Sequence, residues 1–85
     1  MTAKVALFTI GATRQTIENT IDKLVKVNGY VGKYNNIQRL LEDARLGKMS
    51  HVVISHPDAL DNVTVKQLKE LNIIIITFKE LDRIL

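Results

Sequence analysis

Two short stretches of the chain carry residue types and spacings that could do chemistry. Residues 11–14, Gly-Ala-Thr-Arg, follow an apolar run at the start of an expected helix, where outward-pointing backbone N–H groups bind anions. Residues 55–61, "SHPDALD", place His56 near Asp58 and Asp61, and an imidazole next to carboxylates is suited to acid–base catalysis or metal binding. The possible anion-binding residues are Gly11, Ala12, Thr13 and Arg14. If the chain were an enzyme, its only plausible set of catalytic side chains would be Thr13, His56 and Asp58.

Both stretches also have a simpler structural interpretation, which we favour. A glycine that makes a turn and a threonine that caps a helix, here Gly11 and Thr13, are common wherever a strand leads into a helix. The spacing of His56 and the two aspartates matches no metal site, and His51 is expected at the opposite edge of the sheet. We therefore expect no metal, no cofactor and no catalytic residue.

The elements that would position these stretches alternate between strands and helices. This alternation predicts an α/β fold: a small three-layer parallel sheet of three to four strands with right-handed helical crossovers, in one domain over residues 1–85. Strands are predicted at 4–10, 51–55 and 73–77, and residues 30–36 are either a loop or an edge strand. Helices are predicted from Thr13 to Asn28, from Asn35 or Asn36 to Gly47, from Thr64 onward, and briefly within 79–85.

Local residue types also predict helix ends and buried faces. The sequence "TVKQ" from Thr64 fits a capping box that opens the third helix. Apolar spacing predicts that Val25 of the first helix and Leu71 of the third face the core. Residues 73–76 are all isoleucine, so this strand is expected to be covered on both faces.

The composition is that of an ordinary globular chain. Of the 85 residues, 46% are hydrophobic and 25% charged, and no apolar run or signal-peptide pattern indicates a membrane. Residues 1–48 hold eight Lys or Arg against four Asp or Glu, yet the basic residues form no run. The chain has only four aromatic residues, too few to predict a platform on which nucleic-acid bases could stack. We expect a cytoplasmic protein, in agreement with the absence of cysteine, and weak or no direct nucleic-acid binding.

The order of segments resembles a known family. "KVALFTIGAT", an amphipathic helix, "IQRLLEDARLGKMSHVVISHPDALDN" and "VKQLKELNIIIITFKELD" together resemble the N-terminal catalytic domain of the resolvase/invertase serine recombinases. That family opens with a strand of the type Tyr-x-Arg-Val-Ser-Thr and has a later strand ending in Leu-Asp-Arg-Leu-x-Arg. The similarity spans nearly the whole chain, and residues 37–62 carry most of it.

The chain departs from that pattern where the family's chemistry resides. Ile10 stands at the position of an arginine, Ala12 at that of the nucleophilic serine, and Ala59 and Asn62 at those of two further arginines. Attack on a phosphate needs the hydroxyl and the cations, so the resemblance implies a scaffold without catalysis. Thr13 is displaced by one residue, about 100° around a helix, and does not replace the serine. The degenerate active-site positions are Ile10, Ala12, Thr13, Asp58, Ala59 and Asn62.

The leading hypothesis is a non-catalytic recombinase-like domain that acts by protein contact, on a recombinase or another DNA-processing protein of a phage or mobile element. The alternative is a small-anion or nucleotide-binding module that uses residues 11–14 and the loop at residues 56–58 as two walls of one crevice. The family's further strand and long helix would follow residue 85, so we expect residues 73–85 to mediate a homodimer. The candidate interface residues are Tyr30, Val31, Tyr34, Phe78, Leu81, Ile84 and Leu85.

Overall fold

Strands and helices alternate along the chain in a computed structural model that describes residues 4–26 and 28–84, apart from the side chains of residues 82 and 84. A short 3₁₀ turn at Pro57–Ala59 follows the third strand. The elements are β1 (Val5–Phe8), α1 (Arg14–Lys26), β2 (Tyr30–Tyr34), α2 (Ile37–Arg45), β3 (His51–Ile54), α3 (Asn62–Glu70), β4 (Ile74–Thr77) and α4 (Phe78–Ile84).

The four strands form one sheet in the order β2-β1-β3-β4, and every neighbouring pair is parallel. Because consecutive parallel strands need a crossover, a helix connects each strand to the next. These helices lie on both faces of the sheet, so the fold is a small three-layer α/β domain, as predicted. No helix within the described ranges is long and apolar enough to cross a membrane.

The two faces of the sheet carry separate cores. All four residues of β1 are buried, and successive side chains point to opposite faces. Phe8 packs on the face covered by α2 and α3, and Leu7 packs on the face covered by α1 and α4. The face under α2 and α3 holds ten buried residues and the other holds six, so the first is the larger core.

Residues 30–34 form an edge strand, which resolves the choice left open for this segment. Val5 pairs with Tyr30 and Ala6 pairs with Gly32, so Val31 is an extra residue on β2. Such a β-bulge interrupts the regular ladder and is typical of sheet edges.

The start of α1 is as predicted, but that of α3 is not. Thr13 caps α1, accepting a hydrogen bond from the Thr16 backbone N–H at 3.2 Å. The predicted capping box at Thr64 is wrong, because Asp61 caps α3 by accepting the N–H of Thr64 at 2.8 Å. An aspartate at the N-cap accepts a hydrogen bond from the backbone N–H two or three residues later. Because Asp61 takes this role, Thr64 lies inside the first turn of α3, where it is buried.

Three predictions of buried apolar side chains are wrong, and each residue lies at an edge of its layer. Val25 is exposed in the last turn of α1, and Leu71 is exposed as the C-cap residue of α3. Ile74 is 55% exposed, because β4 is an edge strand with a neighbour on one side only. A run of isoleucines indicates a strand, but it does not locate that strand within the sheet.

Candidate functional site

Two loops meet at the carboxyl end of the sheet, where the central strands β1 and β3 lie side by side. The chain leaves β1 toward β2 on one side of the sheet and leaves β3 toward β4 on the other, so the strand order reverses between them. Such a switch point is the usual ligand position in open α/β sheets. The loops are in contact, since the Ser55 hydroxyl donates to the carbonyl of Ile10 at 3.1 Å.

Gly11 allows this contact. Its φ of 83° lies in the left-handed region, and a Cβ at this position would lie 2.8 Å from Ser55 Oγ and 3.2 Å from His56 Nε2. The turn therefore has a hydroxyl and an imidazole beside it, supplied by the loop after β3. Sequence reasoning missed Ser55, although its position directly after a buried strand was a usable signal.

A groove lies beside the same turn, lined in part by Ala12 and Arg14. This groove of about 530 Å³ runs between α1 and the end of β2, and we call it the α1–β2 groove. The alternative hypothesis expected a crevice with residues 56–58 as its second wall. The second wall of the α1–β2 groove comes from β2, and residues 56–58 are not among its lining residues. The groove is lined by Thr9, Ala12, Arg14, Ile17, Glu18, Ile21, Lys33, Tyr34 and Asn35.

The α1–β2 groove combines apolar and charged lining residues. Ile17 and Ile21 pack against the smaller core and so provide an apolar wall. Arg14 and Glu18 form an exposed ion pair, 3.4 Å between Nε and Oε1. Exposed pairs of this kind contribute little to stability, so both charges are available to a ligand. Lys33 is exposed on the opposite wall and gives the lining one more cation than anion.

Tyr34 links the groove to α2. Its carbonyl accepts the Thr9 N–H at 2.9 Å, and its hydroxyl donates to Asp43 Oδ2 at 2.6 Å. Burial, aided by the Asp43 hydrogen bond, raises the pKa of Tyr34 to about 12. The same hydrogen bond lowers the pKa of Asp43, and Lys48 Nζ, 3.6 Å from Oδ1, lowers it further. Tyr34 is therefore fixed by hydrogen bonds at its backbone carbonyl and at its side-chain hydroxyl.

Of the two aspartates in the loop after β3, one has a structural role. Asp61 caps α3, and its hydrogen bonds from Thr64 lower its pKa. Asp58 is exposed in the 3₁₀ turn. Among the side chains that the structure describes, which do not include that of Asp82, no three His, Asp or Glu converge as a metal site requires.

The remaining hydroxyl and imidazole candidates have structural partners. The Thr13 hydroxyl lies 2.7 Å from that of Thr16 within the cap of α1. His51 Nδ1 lies 2.7 Å from Ser50 Oγ, which also accepts the Lys4 N–H at 2.9 Å. These contacts join β1 and β3 at the amino edge of the sheet, where the sequence placed His51.

The positions singled out by the family resemblance lie on the two contacting loops and at the start of α3. Ile10 is exposed and Ala12 lines the α1–β2 groove, both on the turn after β1. Ala59 packs against the larger core, and Asn62 is the first residue of α3. Ile10 and Ala12 thus follow β1, and Ala59 and Asn62 follow β3, beyond the same end of the two central strands.

The predicted interface residues differ in how much of their surface is available. Tyr30 and Phe78 are half-buried against the smaller core, while Val31 is exposed on the bulge of β2. The prediction that Leu81 is an interface residue is wrong. Leu81 is only 4% exposed, because α4 packs it against the smaller core. The Ile84 side chain and Leu85 lie outside the described residues.

Comparison of the chain with protein-family models, with curated proteins and with solved structures finds no match.

Proposed function

We propose that this protein is a non-catalytic, resolvase-like domain that works in the cytoplasm by binding another protein engaged in recombination or DNA processing. One observation carries the proposal. The loops after β1 and β3 meet at the carboxyl edge of the sheet, yet the positions of nucleophile and cations in the resembled family hold Ala12, Ile10, Ala59 and Asn62. Without a hydroxyl and arginines at these positions, phosphate attack has neither nucleophile nor charge stabilisation.

The α1–β2 groove supports protein contact at this edge. Its apolar residues are Ala12, Ile17 and Ile21, and charged side chains from α1 and β2 flank them. Apolar surface surrounded by a polar rim is the usual anatomy of a protein interface. The excess of cations favours a partner segment that carries an acidic side chain beside an apolar one.

The proposal is tested by capture of partners from the native host with three forms of the protein. Lys33→Glu reverses a charge in the groove, and Lys66→Glu makes the same change on the exposed surface of α3, on the other face of the sheet. We expect one partner to be retained by the unmodified protein and by Lys66→Glu, and to be lost with Lys33→Glu. Failure to capture any protein above background would refute the proposal, as would equal capture by both variants.

A second candidate function is binding of a small anion or nucleotide in the same groove. It is favoured by the presence of Arg14, Lys33 and the first turn of α1 along one cavity. Backbone N–H groups and the helix dipole at that end attract negative charge. Titration with phosphate and with nucleotides, followed by amide chemical shifts, should then move the signals of Thr9, Ala12 and Arg14. Unmoved signals at saturating ligand would eliminate this candidate.

If the protein were an enzyme with a chemistry different from that of the resembled family, its catalytic side chains would have to be Thr13, His56 and Asp58. The Thr13 hydroxyl caps α1 and contacts Thr16, so it is engaged within the helix start. We expect neither cleavage nor a covalent adduct on incubation with supercoiled and nicked DNA, with or without divalent metal. Activity that disappears in His56→Ala would establish the enzyme instead.

A further inference from the structure

The two edges of the sheet are protected to different degrees. The outer strand β2 has a bulge at Val31 and an exposed lysine, Lys33, and both features discourage pairing with a further strand. The other outer strand, β4, has neither feature. Its residues, Ile74–Thr77, are uncharged and pair in unbroken register with β3. By these criteria, β4 is the edge open to another strand.

The hydrogen bonds of β4 show which backbone groups are directed outward. The Ile74 N–H donates to the Ser50 carbonyl at 3.0 Å and therefore points toward β3. In a parallel strand the inward and outward residues alternate, so the N–H and C=O of Ile75 point away from the sheet. The N–H groups on either side are engaged, since the Ile73 N–H donates to the Leu68 carbonyl and the Thr77 N–H donates to Glu80 Oε1. The open part of the edge is centred on one donor and one acceptor of Ile75.

An identical strand running antiparallel satisfies this pattern. In an antiparallel ladder, two facing residues exchange both of their N–H···O=C bonds, so Ile75 matches a second Ile75 across a twofold axis. The same register sets Ile74 opposite Ile76 of the partner subunit. Ile74 lies on the face of the smaller core, two residues before buried Ile76, and its exposed side chain would be covered there. The strand carries no charge that would repel its copy.

We propose that the protein forms a symmetric homodimer in which β4 pairs with β4 of a second copy around Ile75, giving one eight-stranded sheet. This inference is independent of the proposed function. The contact is short, with one pair of mutual hydrogen bonds and two isoleucine side chains at its centre. It is smaller than the interfaces of about 1,200 Å² and above that give stable complexes, so we expect exchange between monomer and dimer.

A single introduced cysteine tests the register, because the chain has no cysteine of its own. Facing residues of a hydrogen-bonded antiparallel pair have Cα atoms about 5.5 Å apart, which suits a disulfide. Ile75→Cys should therefore give a covalent dimer under mild oxidation. Val31→Cys, on the edge of β2, and Val63→Cys, on the exposed side of α3, are the controls. A dimer yield at position 75 no higher than that of the controls would overturn the register.

A second measurement does not depend on substituting a half-buried residue. Sedimentation over a range from micromolar to millimolar protein should show a rising average mass for the unmodified chain. Ile74→Lys places a charge at the proposed contact and should keep the protein monomeric. Val63→Lys makes the same change at a comparably exposed valine, 64% against 55%, and should leave the association unchanged. A monomer throughout the range, or equal association of both variants, would overturn the proposal.

Discussion

Gly11 shows how a single residue shapes the candidate site. Two glycines that follow a strand or a helix have a φ in the left-handed region, 83° at Gly11 after β1 and 74° at Gly47 after α2. They differ in their surroundings, because a methyl group at Gly11 would contact Ser55 and His56, whereas nothing lies within 4 Å of one at Gly47. The pair therefore separates the cost of the backbone conformation from that of the loop contact.

We expect Gly11→Ala to lower the free energy of unfolding more than Gly47→Ala does. The left-handed conformation costs a non-glycine residue about 1–2 kcal/mol at either position. The contact with Ser55 Oγ adds about 1–3 kcal/mol of overpacking at Gly11 alone. Urea denaturation of both variants measures the difference, and adding Ser55→Ala to Gly11→Ala should recover part of it. Equal losses at the two glycines would contradict the close packing of the two loops.

The Tyr34–Asp43 hydrogen bond predicts a change in alkaline titration. Tyrosine ionises near pH 10 in an unfolded chain, and the pKa of folded Tyr34 is about 12, so its contribution to stability is complete below pH 10 and is lost between 10 and 12. In Asp43→Asn, the tyrosinate absorbance should show a lower pKa for Tyr34 that remains above 10, because burial is the larger cause. Asp58→Asn, on the opposite loop, should leave this pKa unchanged. An unchanged pKa in Asp43→Asn would mean that the Asp43 carboxylate does not act on Tyr34 in solution.

Element ends depend on short polar motifs, and α4 provides an example that sequence reasoning overlooked. The Thr77 hydroxyl accepts the Glu80 N–H at 3.3 Å, and the Glu80 carboxylate accepts the Thr77 N–H at 3.4 Å. This reciprocal pair is a capping box, the motif that the sequence predicts at Thr64. It allows the chain to pass from β4 into α4 with no intervening residue.

We expect Thr77→Val to weaken the start of α4 while retaining the β-branched shape of the side chain. Loss of the capping oxygen should lower the free energy of unfolding by about 1 kcal/mol. Thr77→Ser keeps the oxygen and serves as the control, with a loss well below that of valine. Amide hydrogen exchange at Glu80 would report the local effect, and equal exchange in both variants would contradict the capping role.

The strands and helices of this chain were predictable where one local pattern dominates. The run at residues 51–55 reads as a strand because it is apolar and β-branched, and Thr13 reads as a cap because it precedes an apolar helical stripe. Val31 and Ile74 were not predictable, since a bulge and an edge position are properties of the assembled sheet. Asp61 and Thr64 are both acceptable caps, and only packing selects between them.

The candidate site, like the fold, was predictable from the sequence only in part. The turn at residues 11–14 was recognisable from its glycine and from the strand before it. The α1–β2 groove was not, because Lys33 and Tyr34 reach it from a segment for which the sequence alone predicts either a loop or an edge strand. The contact of Ser55 with Ile10 joins residues 45 positions apart, and no local pattern encodes such a distance.

At the scale of the whole molecule, the larger and the smaller core lie on opposite faces of the same β-sheet. The strands β1 and β3 contribute Phe8 and Val52 to the larger core and Leu7 and Val53 to the smaller one. Loosening either face should therefore disturb the strands that hold the other. A small domain of this kind is expected to unfold in one cooperative transition.

The two tyrosines make this cooperativity measurable, because Tyr30 packs against the smaller core and Tyr34 against the larger. Leu24→Ala opens a cavity under α1, and Leu68→Ala opens one under α3; each leucine is fully buried, so each change should cost about 2–5 kcal/mol. In both variants, the folded ring signals of Tyr30 and Tyr34 in NMR spectra should disappear over the same temperature interval, lower than that of the unmodified protein. If Leu24→Ala released Tyr30 at a temperature where Tyr34 stayed folded, the faces would be independent, and β1 and β3 would not couple them.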